Sequence, residues 1–203
     1  MYLCSITGFT VGNTYGLSIY VTNYGTHTAE FTPTSATTYS KTYTLYPYSY
    51  YPDFEEPIDS FIDPDPGENQ HFGWRARSGR DYHTGVDIAM DANGNSYEYM
   101  NPRPNVYSVC DGTINQVLYN DDSLGNTVQV LYSDGSHNYY VTYAHLNSIS
   151  CGSSGSISEG NQIGVVGKSG DVTAAHLHIS TSTSSVFTKT PGSWIDPAAF
   201  GIY

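Results

Sequence analysis

Two histidines one residue apart, His176 and His178, sit in the stretch Ala174-Ala175-His176-Leu177-His178-Ile179. A strand alternates its side chains between faces, so these two imidazoles share a face about 6–7 Å apart. Leu177 and Ile179 then point the other way, into a core. One ring can hold a metal ion while the other stands beside whatever the metal polarises. Imidazole is a common metal ligand and the base most easily used near neutral pH. Two solvated or core histidines are the plain alternative, and upstream residues weigh against it.

Tyr82-His83-Thr84-Gly85-Val86-Asp87-Ile88-Ala89 supplies a further histidine and a carboxylate four residues on. In a straight strand those side chains stand about 13 Å apart, too far for one ion. The chain must bend between them if they share a metal, and Gly85 gives it freedom to do so. His83, Asp87 and His178 then make a two-nitrogen, one-oxygen set. Three protein ligands with one open position is the arrangement of catalytic zinc, in contrast to closed structural zinc. A surface loop His83 and a turn-capping Asp87 are the alternatives. Tyr143-Ala144-His145-Leu146 adds a fourth histidine at a strand end, where a lone histidine needs no role.

These residues need strands to position them. Val106–Val109 and Gly112–Leu118 read as two strands around the Asp111-Gly112 turn. Asn126–Leu131 is another, and Ser133-Asp134-Gly135 turns the chain into Asn138–Tyr143. Gln162–Gly167 and the His176 strand complete the set. No segment shows a convincing helical repeat, so the core is expected to be all-β and mostly antiparallel. Upstream, residues 1–48 form a β-rich module or extension, with strands at 15–21 and 42–46. Residues 49–70 carry several prolines, which lack a donor N–H, and read as a linker or extended strap. Its acids Asp53, Glu55, Glu56, Asp59, Asp63 and Asp65 are expected to be solvated. Residues 71–203 form the main domain and hold the four histidines named above.

Composition narrows the function. The chain has 203 residues, a formal charge of −12 and only seven Lys and Arg, which argues against nucleic-acid binding. No apolar run approaches a membrane span. Met1-Tyr2-Leu3-Cys4 lacks the features of a signal peptide, so an excised piece is expected. Low Lys and abundant Tyr, Ser, Thr and Asn suit an extracellular protein. Cys110 and Cys151 could pair as a disulfide or remain buried thiols, and Cys4 has no evident partner.

His-x-x-x-Asp, then Tyr-Ala-His-Leu, then His-Leu-His, in this order, resembles the M23 family of zinc metalloendopeptidases, the lysostaphin-like or LytM-type peptidases of bacterial cell walls. Further matches are Phe72-Gly73-Trp74-Arg75, Val106-Tyr107 with Asp111-Gly112-Thr113-Ile114, and Trp194-Ile195-Asp196-Pro197. The glycine-rich pieces Gly160–Gly164 and Gly167–Gly170 also fit. The resemblance implies a compact antiparallel β-sheet domain with one Zn²⁺ in a long groove. It implies His83, Asp87 and His178 as zinc ligands and His145 and His176 as the catalytic pair. It also implies a peptidoglycan stem peptide or cross-bridge as substrate, and an extracellular or wall-associated place of action for a bacterial or phage-derived enzyme.

Tyr82, Tyr97 and Tyr143 are candidates for the walls of that groove, or structural strand tyrosines. Four departures from the family pattern bear on specificity. Ala175 stands where the family usually has proline, and Ser180 where it often has glutamate. The segment 90–105 is longer than the corresponding turn, and the 180–192 loop is rich in Ser and Thr. The competing readings are a catalytically silent or inhibited LytM-type domain that binds wall or a partner protein, with the strap or the 90–105 segment in the groove, and a wall-binding role for residues 1–48.

Overall fold

The alternation around His178 becomes the centre of a sheet. Leu177 and Ile179 are fully buried, and the strand β13 (Leu177–Ser182) that carries them pairs antiparallel on both edges. The computed structural model describes residues 15–21, 25–31, 51–64, 70–75, 81–187 and 192–203. The strand expected over 42–46, Cys4 and Asp65 lie outside the described residues.

A two-stranded antiparallel hairpin, β1 (Tyr15–Val21) and β2 (Gly25–Phe31), comes first. β3 (Gly73–Trp74), β4 (Tyr82–His83) and β5 (Val86–Ile88) lead into the main domain. Next are β6 (Asn105–Tyr107), β7 (Gly112–Asp121), β8 (Gly125–Ser133) and β9 (Asn138–Leu146). β10 (Ser148–Ile149), β11 (Gly155–Ile157) and β12 (Gln162–Val165) precede β13, and β14 (Trp194–Ile195) follows it. The largest sheet has seven strands in the order β11-β7-β8-β9-β13-β14, with β5 also paired to β13. A three-stranded sheet runs β10-β12-β6, and β3 pairs β4. The only helical pieces among the described residues are 3₁₀ turns, at Tyr97–Tyr99 and Pro197–Phe200. The expected all-β, antiparallel architecture is thus what the chain adopts.

Two hairpins organise the large sheet. Asp121 Oδ1 accepts the N–H groups of Ser123 and Leu124 in the β7–β8 turn. Asp134 Oδ1 accepts those of Ser136 and His137 in the β8–β9 turn. Aspartate favours such sites because its side chain satisfies turn donors locally. One expectation fails here. The strands around Asp111-Gly112 do not form a hairpin: β6 pairs β12 in the small sheet, whereas β7 pairs β8 and β11. Ser108 donates its N–H to Asn161 O and accepts from Gly160 N–H, so the chain is held to the small sheet before it crosses.

One core unites both sheets: Val106 and Ile163 from the small sheet are buried in the same cluster as Val86, Val128, Val141 and Ile179. Residues 51–64 lie along it as a strap. Phe54 N–H donates to Phe200 O at 2.7 Å, Glu55 N–H to Val109 O, and Tyr107 N–H to Pro57 O. Phe54 and Ile58 are buried, and the Phe54 ring stacks on Phe200 with centroids 5.0 Å apart. Asp53, Glu55, Glu56, Asp59 and Asp63 are exposed. Cys110 and Cys151 are free thiols, and burial, with Asp111 and Glu159 nearby, pushes Cys110 up to about 12. No helix among the described residues is long and apolar enough to cross a membrane.

Candidate metal centre and groove

β13 places His178 directly opposite Asp87 of β5 on one edge and Ala144 of β9 on the other. The apolar pairs Leu177–Ile88 and Ile179–Val86 flank the His178–Asp87 pair and are wholly buried, so packing on one face fixes the polar pair on the other. His83 reaches the same point because the chain bends at Thr84-Gly85 between β4 and β5. The bend agrees with expectation; the reason for Gly85 is different. Its φ is not left-handed. A Cβ there would collide with Ile179 O, and would lie 2.7 Å from Ser180 Cβ and 2.8 Å from the Ile179 carbonyl carbon. Only glycine lets the bend press against β13.

His83 Nε2, Asp87 Oδ1 and His178 Nδ1 converge: the three separations are 3.1, 3.0 and 2.9 Å. His83 Nδ1–H donates to His71 O at 2.8 Å, which leaves Nε2 with its lone pair towards the cluster. Three acceptor atoms this close repel one another unless a proton or a cation lies among them. A tetrahedral ion with ligands about 2.0–2.1 Å away sees them about 3.3 Å apart, so the set fits such an ion after a movement of a few tenths of an ångström. These three residues could hold a metal ion. Thr84 Oγ1 stands 3.4 Å from the far nitrogen of His178. Sequence reasoning passed over Thr84, although its place beside His83 was a signal.

Burial alone would raise the Asp87 carboxyl. With protons in place of a cation among the three atoms, His83 and His178 outweigh burial and hold that carboxyl well below the usual carboxylate range. Arg75 Nη1 lies 3.8 Å from Asp87 Oδ2, and Arg75 also pairs with Asp81 at 2.8 Å. Burial lowers His178, opposed by its bond to Asp87.

His145 and His176 stand next to this set. Their ring centroids are 4.9 Å apart, and His145 lies 6.0 Å from His178. His176 Nε2 is 3.5 Å from Asp87 Oδ1. Both rings are oriented from behind: His145 Nδ1–H donates to Ser169 O at 3.0 Å, and His176 Nδ1–H to Ala174 O at 2.9 Å. His145 has φ = 62°, a left-handed conformation uncommon outside glycine and asparagine. Such strain concentrates where surrounding contacts over-determine a functional side chain. Burial, then the neighbouring His178 and His176, lowers His145 to about 3, so the ring is neutral at physiological pH.

A groove of about 390 Å³ runs past all five residues. Tyr82 and Thr84 line it, with Ser123 and Leu124 and the segment Asp171–Ala175. Tyr97 and Tyr143 do not line it. Tyr143 faces the core opposite the groove, accepting Val109 N–H at 2.9 Å, as the alternation that exposes His178 also requires of its partner Ile179. Tyr97 is buried beneath the 90–105 segment; burial and then the Asp91 charge push its phenol up to about 12. Among the described residues, Gln70 alone of 49–70 lines the groove, and none of 90–105 does. The inhibited form with either segment in the groove gains no support from them.

The profile of Peptidase family M23 matches residues 81–189, more than half of the chain. The chain belongs to peptidase family M23. Solved structures share its fold. The catalytic domain, in a point-mutant form, of the prophage-encoded M23 protein EnpA from Enterococcus faecalis is 21% identical, with a TM-score of 0.52 over 75% of this chain and 98% of that one. CbpA from L. salivarius REN is 24% identical, with a TM-score of 0.52 over 74% and 97%. The catalytic domain of the antimicrobial peptidase lysostaphin from Staphylococcus simulans is 23% identical, with a TM-score of 0.50 over 66% and 89%. This M23 chain therefore carries a lysostaphin-like all-β domain.

Proposed function

We propose that this chain is a zinc-dependent endopeptidase that hydrolyses peptide bonds in bacterial peptidoglycan, in stem peptides or cross-bridges. The observation that carries the reading is the triangle of His83 Nε2, Asp87 Oδ1 and His178 Nδ1, with His145 and His176 beside it. Family membership supplies the substrate class and supports an extracellular or wall-associated place of action. The hairpin of β1 and β2 supports reading residues 1–48 as a β-rich module or extension ahead of 71–203.

His83, Asp87 and His178 would hold the zinc, which when bound would supply Lewis acidity and lower the pKa of water to about 7. The chain's own residues handle the protons. His145 is neutral, with its Nδ1–H committed to Ser169 O, so Nε2 presents a lone pair to the groove. It accepts the proton of the attacking water, and the resulting imidazolium gives it to the leaving amine as the C–N bond breaks. His176, oriented by Ala174 O and facing Asp87, donates from Nε2 to the oxyanion when that nitrogen carries a proton.

The test is zinc content measured with activity. About one zinc per chain, and chelator-sensitive release of new amino termini from one or more wall types, is the expected result. Replacing His83 or Asp87 by alanine removes metal and activity together. His145→Ala keeps its zinc and loses about 10²-fold or more in kcat. Full turnover by zinc-loaded His145→Ala would overturn the role of that residue. Zinc without cleavage of any wall would make this a binding domain.

A further inference from the structure

The long 90–105 segment meets the site through one carboxylate. Glu98, in the 3₁₀ turn Tyr97–Tyr99, accepts the Ala175 N–H through Oε2 at 2.7 Å and the Lys168 ammonium through Oε1 at 2.8 Å. Its two partners lie on different segments, and each segment positions one histidine. Ala175 directly precedes His176, and Ala174 O orients the His176 ring. Lys168 lies between Gly167, which forms a β-bridge with His176, and Ser169, whose carbonyl orients the His145 ring. We propose that Glu98 is a positioning residue: its carboxylate ties the 167–169 and 174–176 segments together and so sets the spacing of the His145 and His176 rings. The inference rests on the peptidase reading of those two rings.

The chemistry favours a specific brace over an incidental contact. Ala175 is wholly buried and its N–H is covered by the Glu98 carboxylate, so Glu98→Ala leaves that donor without its protein acceptor. A charged acceptor at this distance makes one of the stronger hydrogen bonds available to a backbone donor. The Lys168–Glu98 pair is partly exposed and adds little by itself. Its use is to aim the carboxylate. These two bonds, Lys168 first, hold the Glu98 carboxyl below the usual carboxylate range. The turn is anchored in its own right: Ser96 Oγ accepts the Glu98 N–H, Arg103 Nε donates to Tyr97 O, and the Tyr97 ring is buried. A proline at position 175 would have a fixed φ and no N–H to give. Alanine leaves the backbone freer and supplies the donor, and the 90–105 segment supplies the acceptor.

The test compares zinc-loaded wild type with Glu98→Ala, Glu98→Gln and the double variant Glu98→Ala/Ala175→Pro. In Glu98→Ala, kcat falls about ten- to a hundredfold through misplaced rings. Zinc content stays as in wild type, because Glu98 does not touch the ligand set, and KM changes less than kcat, because Ala174 and Ala175 line the groove but Glu98 does not. Hydrogen exchange at the Ala175 amide becomes about tenfold faster or more, and the ring signals of His145 and His176 shift. Glu98→Gln keeps an acceptor for Ala175 and restores most of kcat. Ala175→Pro recovers part of kcat in the Glu98→Ala background, by removing the stranded donor. Unchanged amide exchange in Glu98→Ala, or unchanged kcat, overturns the proposal. If wild type cleaves no wall, the peptidase reading fails, and amide exchange with the ring signals alone decides whether the brace exists.

Discussion

Gly85→Ala separates a glycine kept for flexibility from one kept for contact. Gly85 has no left-handed φ, so alanine meets no conformational barrier of its own there. What it meets is β13: Ile179 O, its carbonyl carbon at 2.8 Å, and Ser180 Cβ at 2.7 Å. Two of these three atoms are backbone in a strand paired on both edges, so no side chain can swing aside. Normal contact requires the bend and the strand to part by about 1 Å. Overpacking a well-filled site costs about 1–3 kcal/mol, and a backbone obstacle puts this case near ~3 kcal/mol. At a typical urea slope, the unfolding midpoint then drops by about 1 M or more. The same movement separates His83 from Asp87 and His178, whose ligand atoms lie 2.9–3.1 Å apart and tolerate only a few tenths of an ångström. Zinc affinity should fall with stability, read by competition with a chromogenic chelator. Gly152→Ala is the control, since its only near neighbour is Ser154 O at 3.4 Å and its φ is ordinary. A Gly85→Ala protein with wild-type urea midpoint and wild-type zinc affinity would refute the close-approach argument.

The left-handed backbone of His145 predicts an inverted order of stabilities: His145→Gly should unfold at higher urea than His145→Ala, by about 1 kcal/mol, because only glycine adopts φ = 62° freely. Equal stability would remove the claim of strain. In metal-free protein, His145 titrates near 3 when folded against 6.5 in the unfolded chain, so the unfolded state takes up the proton first as pH falls. Stability contributed by the neutral ring is intact above about 6.5 and declines below it by up to about 1.4 kcal/mol per pH unit; a urea midpoint that stays flat from pH 7 to 5 would contradict this. Phe54→Ala in the strap should cost about 3 kcal/mol, measured by urea unfolding, because the ring stacks on Phe200 and meets Tyr132 at 5.1 Å. A loss under about 1 kcal/mol would mean the strap is only loosely attached.

The sequence exposes what is local and hides what is not. His176 and His178 are two apart, and strand periodicity alone puts both on one face. His83 and Asp87 are four apart, and strand geometry alone demands a bend. The same periodicity, applied to β9, is enough to turn Tyr143 into the core, because Tyr143 pairs with buried Ile179 while Ala144 pairs with His178. Other features had no local signal. β6 and β7 are separated by a short turn that resembles a hairpin, yet Ser108 is drawn to Asn161 and Gly160, more than fifty residues away. Gly85 looks like a hinge until β13 is placed against it. Ala175 and Glu98 are 77 positions apart, and neither residue type announces the other. Tyr97 sits in a segment without periodicity, so its burial could not be read at all.

The site combines two ways of placing a side chain, and they fail differently. His178 and Asp87 are placed by register. Shifting β13 by one residue against β5 would turn Leu177 and Ile179 into the groove and His178 into the core, so burial of Leu177, Ile179, Val86 and Ile88 enforces the polar pair. Nothing at these two positions is strained. His83, His145 and His176 come from outside that register, and each requires a device that a regular strand lacks. His83 needs a bend that tolerates no Cβ. His145 needs a left-handed residue at a strand end and a carbonyl from the loop after β12. His176 lies just before β13 and is held by a single bridge, a neighbouring carbonyl and the segment Glu98 accepts from. Mutations behind the register pair should therefore unfold the domain. Mutations in the devices should weaken the domain without unfolding it, and should separate the metal binding proposed for His83 from the proton transfer proposed for His145 and His176.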